Sequence, residues 1–342
     1  MAKRRLTERQ TKRIQRIQEQ RRQRAAGRAL RHVEALSETG LGPEQCGLVI
    51  ANYGPALIVE DNQGALQHCA VRQNLGTLVC GDRVIWQTSG SAEGVVIALE
   101  ERRSLLSRPD YSGRLKPLAA NLDQVAVVVA PRPGLNEFLI DRYLVAIAAI
   151  DVAALLVVNK IDLLDAAALR AIEARLSTYH RIGYPILFAS SRSAHGLDEL
   201  CARLKGHTSI LVGQSGVGKS SLIQTLLPDR EIRIQALSET TGLGIHTTTT
   251  SALYHLPSGG DLIDSPGVRS FELGELHPDD LQRGFVEFVP YLGQCKFSNC
   301  SHTVEPGCAL LAAVEQGEIE PRRLESYHQI KDSSRAGNPT IR

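Results

Sequence analysis

The chain has 342 residues, of which 43% are hydrophobic and 22% are charged, and these values are typical of a soluble globular protein with two or three domains. It contains no run of about 18 uninterrupted apolar residues and no stretch that resembles a secretory signal. We therefore expect neither a membrane protein nor a secreted one. The formal net charge is only +2, but residues 1–31 carry twelve Lys or Arg against two acidic residues. A basic tail on an acidic body is a pattern common among nucleic-acid-binding proteins.

The basic N-terminal tail, assigned to residues 1–36, has sparse apolar positions at near-helical spacing. Such a segment buries too little apolar surface to fold alone, so we expect it to be disordered or to become ordered on a partner. A merely solvated tail is the alternative. An organelle transit peptide is a further reading, which the low serine content disfavours.

Residues 37–107 are predicted to form a small β-barrel domain of the OB type. Five short runs rich in Val, Ile and Leu are separated by turn signals. These runs are residues 47–53, 56–60, 66–71, 82–87 and 94–99. Tyr53 and Trp86 are the candidates for stacking on nucleic-acid bases, and a purely structural barrel is the alternative.

Residues 108–274 alternate between apolar runs and helical segments, which predicts a parallel α/β sheet. The predicted strands are residues 124–130, 154–158, 186–189 and 209–212. The predicted helices are residues 137–150, 166–179 and 197–204.

A phosphate-binding loop is predicted at residues 213–220, which match GxxxxGKS between a strand and a helical segment. Backbone N–H groups at such a helix start bind phosphates, and the lysine neutralises the outer ones. The serine hydroxyl that follows can ligate Mg²⁺. The predicted phosphate-binding residues are Gly213, Gln214, Ser215, Gly216, Val217, Gly218, Lys219, Ser220 and Ser221.

A base-reading motif, Asn159-Lys160-Ile161-Asp162, directly follows a predicted strand, and Ser190 follows the next one. A carboxylate such as Asp162 can accept hydrogen bonds from the ring N–H and the amine of guanine, whereas adenine offers no matching donors. The motif therefore predicts GTP rather than ATP. It precedes the phosphate-binding loop instead of following it, which implies a circular permutation.

Asp264-Ser265-Pro266-Gly267 fits the DxxG sequence that senses the γ-phosphate, with Asp264 reaching Mg²⁺; a plain turn is the alternative. Val268 stands where many small GTPases place a water-orienting glutamine, so we expect slow hydrolysis or another catalytic group. Residues 242–250 form a predicted switch loop that ends in four threonines. Thr248 is assigned to Mg²⁺, although Thr247 and Thr249 remain alternatives. His246 is the candidate for polarising water, or else a surface histidine without a role.

Residues 275–342 are predicted to be mostly helical, with helices at 278–289 and 309–316 and a C-terminal tail. Cys295, Cys300, His302 and Cys308 lie between them, and these four ligands predict one structural Zn²⁺. An odd count of seven cysteines is consistent with reduced thiols in a cytosol. Three reduced cysteines and a surface histidine are the alternative.

The order of the motifs, the His-Thr-Thr-Thr string and the Cys-Cys-His-Cys tail together resemble the RsgA family of circularly permuted GTPases over about residues 40–330. The resemblance implies an OB-fold domain, a permuted GTPase domain and a C-terminal zinc domain. It also implies late assembly of the bacterial small ribosomal subunit, with hydrolysis stimulated by that subunit. It assigns catalysis to His246 and zinc binding to the cluster. Ser191 departs from the alanine usual at that position, where the loop acts through its backbone.

The leading expectation is thus a cytoplasmic, monomeric GTP hydrolase that binds GTP, GDP and the rRNA of the small subunit, and no membrane. The alternative is a GTP-regulated RNA-binding module whose hydrolysis is incidental. A P-loop ATPase or kinase is a third class, which Asp162 disfavours.

Overall fold

The computed structural model of the chain describes residues 41–54, 56–89, 93–109, 114–229, 251–265 and 278–335. These residues form two compact units. One unit comprises the described residues up to Arg102 together with Ser251 and Ala252, and the second comprises the others. The predictions for the tail 1–36, for the switch loop 242–250 and for Gly267 lie outside the described residues.

The first unit is a closed five-stranded barrel, as the sequence predicted. Strand β1 pairs antiparallel with both β2 and β4, and β2 pairs antiparallel with β3. Strand β5 lies between β3 and β4: it pairs parallel with β3 and antiparallel with β4. This pairing closes the sheet on itself. The strands are β1 (Glu44–Asn52), β2 (Ala56–Asp61), β3 (Leu66–Val71), β4 (Arg83–Thr88) and β5 (Glu93–Leu99).

Trp86 fills the core of the barrel, where its side chain is only 1% exposed. Two glycines make room for the indole: a Cβ on Gly94 would lie 2.7 Å from Trp86 Cε3, and one on Gly47 would lie 3.0 Å from Trp86 Cδ1. The interpretation of Trp86 as a base-stacking residue is therefore wrong. Alternation along a strand alone did not show which of its two faces is the interior.

The second unit contains the α/β sheet, in the order β10-β9-β8-β11-β13-β12, except for Ala252 at the start of β12, which belongs to the first unit. Strands β8 to β11 and β13 are joined by parallel pairing. Every residue of β8 is buried, as expected of a strand covered on both faces. The strands are β8 (Gln124–Val129), β9 (Ala153–Val158), β10 (Ile186–Phe188), β11 (Thr208–Val212), β12 (Ala252–His255) and β13 (Asp261–Asp264).

In the described part of the chain, four helices lie between these strands, and two of them begin at residues that cap the exposed backbone N–H groups. Asn136 accepts from the N–H of Leu139 at 3.1 Å, and Asp165 accepts from the N–H of Ala168 at 2.8 Å. The three helices predicted at 137–150, 166–179 and 197–204 are confirmed to within two residues at their ends. The four helices are α1 (Glu137–Ala148), α2 (Ala166–Arg181), α3 (Leu197–Leu204) and α4 (Lys219–Leu226).

A two-stranded hairpin, β6 (Leu105–Pro109) and β7 (Leu115–Ala120), precedes the sheet and was not predicted. Its register shifts between Leu106 and Ser107. The irregular pairing, together with Lys116 and Pro117 in the second strand, removes the even alternation by which a hairpin is recognised.

The C-terminal region is helical and packs around Phe285, Phe288 and Tyr327. The two phenylalanine rings stack at 4.9 Å, and Tyr327 meets both edge-on. The elements are α5 (Pro278–Arg283), a 3₁₀ helix (Val286–Tyr291), α6 (Ala309–Glu315) and α7 (Pro321–Arg335). Among the described residues, no helix combines the length and the apolar character that crossing a bilayer requires.

The predicted helix at 278–289 is wrong in its second half, because the α-helix ends before Gly284. A Cβ on Gly284 would lie 2.8 Å from Val145 Cγ1 of α1. The chain thus turns into a 3₁₀ helix where its backbone lies against α1. Helix α7 was not predicted at all.

Candidate functional site

The candidate nucleotide site lies at the carboxyl ends of the parallel strands. The segments that follow β8, β9, β10, β11 and β13 all leave the sheet at this edge. The chain runs outward from β8 to β10 and then returns to β11 on the other side of β8. Ligands of open α/β sheets bind where the strand order reverses in this way.

The phosphate-binding loop follows β11 and ends where α4 begins at Lys219. Gly213 has a φ of 140°, and a Cβ there would lie 2.2 Å from the carbonyl oxygen of Val128 in β8. Only glycine fits this contact between loop and sheet. Lys219 Nζ donates to the carbonyls of Gly213 and Gln214 at 2.6 and 2.9 Å, inside the curve of the loop.

The remaining loop residues lie where the motif predicts. Ser215 and Gly216 are exposed, Val217 is buried, and the hydroxyl-bearing Ser220 and Ser221 are exposed in the first turn of α4. The loop thus presents its backbone and two hydroxyl groups to solvent at the start of a helix. This arrangement suits an anionic ligand.

The base-reading motif contacts the phosphate-binding loop directly. Asn159 is fully buried, and its Nδ2 donates to the carbonyl oxygen of Val217 at 2.9 Å. Lys160 adopts a left-handed conformation with a φ of 64°. Its Nζ donates to the carbonyl of Gly216 and, at 3.3 Å, to the carbonyl of Arg132. Strained backbone of this kind persists where the surrounding structure fixes it, as at ligand sites.

Asp162 is exposed at the same edge, and Ser190 fixes its carboxylate. Ser190 is fully buried, and its Oγ donates to Asp162 Oδ1 at 2.5 Å. The same Oγ accepts from the N–H groups of Arg192 and Ser193 at 3.2 Å. Ile161 lies in the short 3₁₀ turn that carries Asp162. The second carboxylate oxygen of Asp162, Oδ2, does not take part in the hydrogen bond from Ser190.

The residues assigned to Mg²⁺ are described only in part. Ser220 lies in the first turn of α4, and Asp264 ends β13, which is the parallel neighbour of β11. Hydroxyl and carboxylate oxygens are the ligands that Mg²⁺ prefers. Thr248, His246 and Gly267 lie outside the described residues.

The structure brings together all four residues of the predicted metal site. The ligand atoms of Cys295, Cys300, His302 and Cys308 lie within 4.8 Å of one another. Cys295 Sγ is 3.9 Å from Cys308 Sγ, and His302 Nδ1 is 3.6 and 3.4 Å from these two sulfurs. Tetrahedral bonds of about 2.3 Å to sulfur and 2.0 Å to nitrogen separate the ligands by about 3.5 to 3.8 Å. The cluster could therefore hold one metal ion.

His302 is held in the form that a metal ligand needs. Burial and the nearby charge of Lys331 keep the pKa of His302 below its usual range, so that the imidazole is neutral. Its backbone is left-handed, with a φ of 64°, and its carbonyl accepts from His328 Nε2 at 3.0 Å.

Glu305 shapes the ligand loop, although sequence reasoning missed it. Its carboxylate accepts from the N–H groups of Ser301, Thr303 and Val304 at 2.7 to 3.1 Å. These hydrogen bonds, with those of Ser301 the strongest, hold the pKa of Glu305 below its usual range. The position of a Glu three residues after His302, in a loop rich in Ser and Thr, was the signal that could have found it.

The parallel sheet, the phosphate-binding loop and the Asn-Lys-Ile-Asp motif define a P-loop GTPase whose motifs occur in circularly permuted order. Residues 99–274 match the family model of the RsgA GTPase. The chain is 51% identical over 334 residues to the small ribosomal subunit biogenesis GTPase RsgA of Azotobacter vinelandii, covering 96% of this chain and 97% of the relative. It is 50% identical over 330 residues to the protein of that name in Pseudomonas aeruginosa, with the same coverage. The chain belongs to the RsgA GTPase family.

Two solved structures are similar to the chain over 87% of its length. The crystal structure of YjeQ from Thermotoga maritima has a TM-score of 0.72 and 33% identity, and all of that chain is covered. The crystal structure of YloQ, described as a circularly permuted GTPase, has a TM-score of 0.69 and 28% identity, and 98% of that chain is covered. The description of YloQ agrees with the permuted order of the motifs in this chain.

Proposed function

We propose that this GTPase is a cytoplasmic maturation factor of the small ribosomal subunit that binds rRNA and hydrolyses GTP on the subunit. The carrying observation is the 51% identity to a small ribosomal subunit biogenesis GTPase over 97% of that relative's length. The basic residues of the N-terminal 31 positions support contact with RNA phosphates. We further propose that the protein acts as a monomer and binds no membrane.

The proposed nucleotide site uses three groups of residues. Backbone N–H groups of the loop 213–218 and of the first turn of α4 would bind the phosphates, with Lys219 neutralising their charge. The free oxygen of the Asp162 carboxylate would accept from guanine, and the hydrogen bond from Ser190 supports that orientation. Asn159 would join the base site to the phosphate site through its bond to Val217.

Ser220, Asp264 and Thr248 are proposed to hold Mg²⁺, which when bound neutralises charge on the β- and γ-phosphates. His246 is proposed to orient the attacking water, because Val268 has no hydrogen-bonding group to do so. Hydrolysis would then be slow until the ribosomal subunit positions the switch loop and His246.

The metal of the Cys-Cys-His-Cys cluster is proposed to be Zn²⁺ in a structural role. Three thiolates and one neutral imidazole are the ligands that Zn²⁺ favours, and the spacings of 3.4 to 3.9 Å suit a tetrahedral site. The short C-terminal helices bury a small core, which a metal would help to hold together.

The test of the function is the rate of GTP hydrolysis with and without purified small ribosomal subunits. We expect the subunits to increase the rate and purified large subunits to leave it unchanged. Equal rates in all three samples would remove the ribosomal partner from the proposal.

A second experiment separates hydrolysis from binding. The variant His246→Ala should bind GTP with unchanged affinity and fail to hydrolyse it, whereas His207→Ala, at an exposed position before β11, serves as the control. If the hydrolysis-deficient variant still supports subunit maturation in cells, the protein acts as a GTP-regulated RNA-binding module.

A further inference from the structure

Helix α7 of the C-terminal region is joined to helix α1 of the GTPase fold through buried charges. Asp141 of α1 is fully buried and accepts from Arg323 Nη1 at 2.6 Å and from Arg322 Nη1 at 2.9 Å. Arg323 is also fully buried and donates to both carboxylate oxygens of Glu287, at 2.5 and 3.0 Å. Burial alone would lower the pKa of Arg323, but these carboxylates outweigh it and raise the pKa.

Tyr179 extends this network to helix α2. Its hydroxyl donates its single proton to Asp141 Oδ1 at 2.5 Å and lies 3.1 Å from the carbonyl oxygen of Glu137. Burial and the neighbouring carboxylate of Asp141 raise the pKa of Tyr179 far above its usual range, so the hydroxyl remains a donor. Because Asp141 is the fifth residue of α1, this hydrogen bond joins the end of α2 to α1 near its start.

Arg175, one turn before Tyr179, reaches the loop that precedes α1. It pairs with the carboxylate of Glu137 at 2.7 Å and donates to the carbonyl of Leu135 at 3.2 Å. Three residues earlier, the carbonyl of Arg132 accepts from Lys160 of the base-reading motif at 3.3 Å. The start of α1 is thus held by α2 and α7, while the loop before it contacts Lys160.

These contacts connect the C-terminal region with the guanine site by hydrogen bonds and two short stretches of backbone. Helix α2 begins four residues after Asp162 and ends in the network, and α1 begins five residues after Arg132 and enters the same network. The relative placement of the two helices therefore determines where the Arg132 carbonyl meets Lys160. Neither the phosphate-binding loop nor the metal cluster contains any of these residues.

We propose that Arg175, Tyr179 and Arg323 are positioning residues for guanine-nucleotide recognition. They hold the first turn of α1 against α2 and thereby fix the carbonyl that orients Lys160. This proposal rests on the proposed binding of guanine at residues 159–162. The residues would affect nucleotide affinity without touching the nucleotide.

The decisive variant is Arg175→Ala in the full-length protein. The Arg175 side chain is 48% exposed, so its removal should leave the unfolding temperature nearly unchanged. We expect the Kd for GDP and the KM for GTP to rise about three- to tenfold, with kcat unchanged, because one or two positioning hydrogen bonds are lost. Arg175→Lys keeps the positive charge but does not reproduce the guanidinium contacts to both Glu137 and Leu135, so it should recover part of this affinity.

The matched control is Arg170→Ala, on the exposed face of the same helix, for which we expect wild-type affinity. Tyr179→Phe tests the buried side of the network, because it removes only the hydroxyl group. It should raise the same Kd and KM while retaining the bound metal. If Tyr179→Phe does not fold, Arg175→Ala alone decides.

Unchanged Kd and KM in a folded Arg175→Ala would overturn the proposal, and so would an equal loss in Arg170→Ala. A lowered kcat at unchanged KM would also contradict it, because the residues would then act on chemistry rather than on nucleotide binding. Failure of the unmodified protein to bind GDP or GTP would instead refute the proposed function, so the two failures are distinguishable.

Discussion

Asn159 Nδ2 donates a 2.9 Å hydrogen bond to the carbonyl oxygen of Val217, across a sequence separation of 58 residues. The contact joins the motif proposed to read the base to the loop proposed to hold the phosphates. Gly218 makes it possible, because a Cβ at that position would lie 2.4 Å from Asn159 Nδ2. The position of the Asn159 side chain against this loop therefore depends on the absence of a Cβ at residue 218.

Gly218→Ala should consequently weaken GDP binding at least about tenfold, since the Asn159 amide must move away from Val217. We expect a further loss of about 1–2 kcal/mol in the free energy of unfolding, because Gly218 has a φ of 95°. Fluorescent nucleotide titration and chemical denaturation measure the two effects. Gly206→Ala is the control: its φ is 76°, but nothing lies within 4 Å of the added Cβ. Equal loss of affinity in both variants would show that backbone strain alone is responsible.

Asp162→Asn should change the nucleotide that is bound. An amide cannot accept both hydrogen bonds from guanine, so we expect GTP affinity to fall at least about a hundredfold. Xanthine carries an oxygen where guanine has its amine, and the new NH₂ group can donate to it, so XTP affinity should rise. Competition of GTP and XTP for a fluorescent analogue measures this exchange. Asp198→Asn, at an exposed position in α3, should leave both affinities unchanged. Retained preference for GTP in Asp162→Asn would remove Asp162 from the base site.

Removing the metal should disorder the C-terminal region. We expect one Zn²⁺ per chain in the purified protein, and much less in Cys300→Ser. The near-UV circular dichroism of the aromatic cluster around Tyr327 should decrease in that variant, because metal binding contributes to folding. Cys46→Ser removes an exposed thiol in the barrel and should retain the metal. Full metal content in Cys300→Ser would show that the cluster is not the site.

Glu305→Gln should lower metal affinity without abolishing binding. An amide offers a single acceptor oxygen to the three N–H groups that the carboxylate binds, so the loop around His302 loses part of its shape. Groups that orient metal ligands typically change metal affinity about 10- to 100-fold. Competition with a chromophoric chelator measures this affinity. The control is Glu315→Gln at the exposed end of α6; a loss as large there would assign the effect to net charge.

The sequence predicted those parts of the site that depend on short contiguous segments. The loop 213–220 and residues 159–162 each follow an apolar strand, and parallel strands bring such segments to one edge of the sheet. The four metal ligands were predicted because three cysteines and one histidine close together in sequence are typical of a structural metal site. In each case a local pattern carried a chemical requirement.

The contacts that depend on distant residues were not predictable. Asp141, Tyr179 and Arg323 lie on three different helices, and each has the appearance of an ordinary helical residue in sequence. Gly284, directly after α5, lies so close to Val145 that a Cβ there would be 2.8 Å from Val145 Cγ1, and no local pattern shows this contact. Trp86 faces the barrel interior because Gly47 and Gly94 leave space opposite it. Helical periodicity and turn signals give no information on such partners.

The closure of the five-stranded barrel limits the ways in which this unit can bind a partner. Because β1 pairs with both β2 and β4, the barrel has no open edge between its first and its fourth strand. Where β1 pairs with both of these strands, at Gly47 and Leu48, a peptide could not add its own backbone as a further strand, and Ala51 of β1 already pairs with Ala252. Recognition by the barrel must instead depend on the chemistry of side chains on its outer surface and on the loops at its two ends.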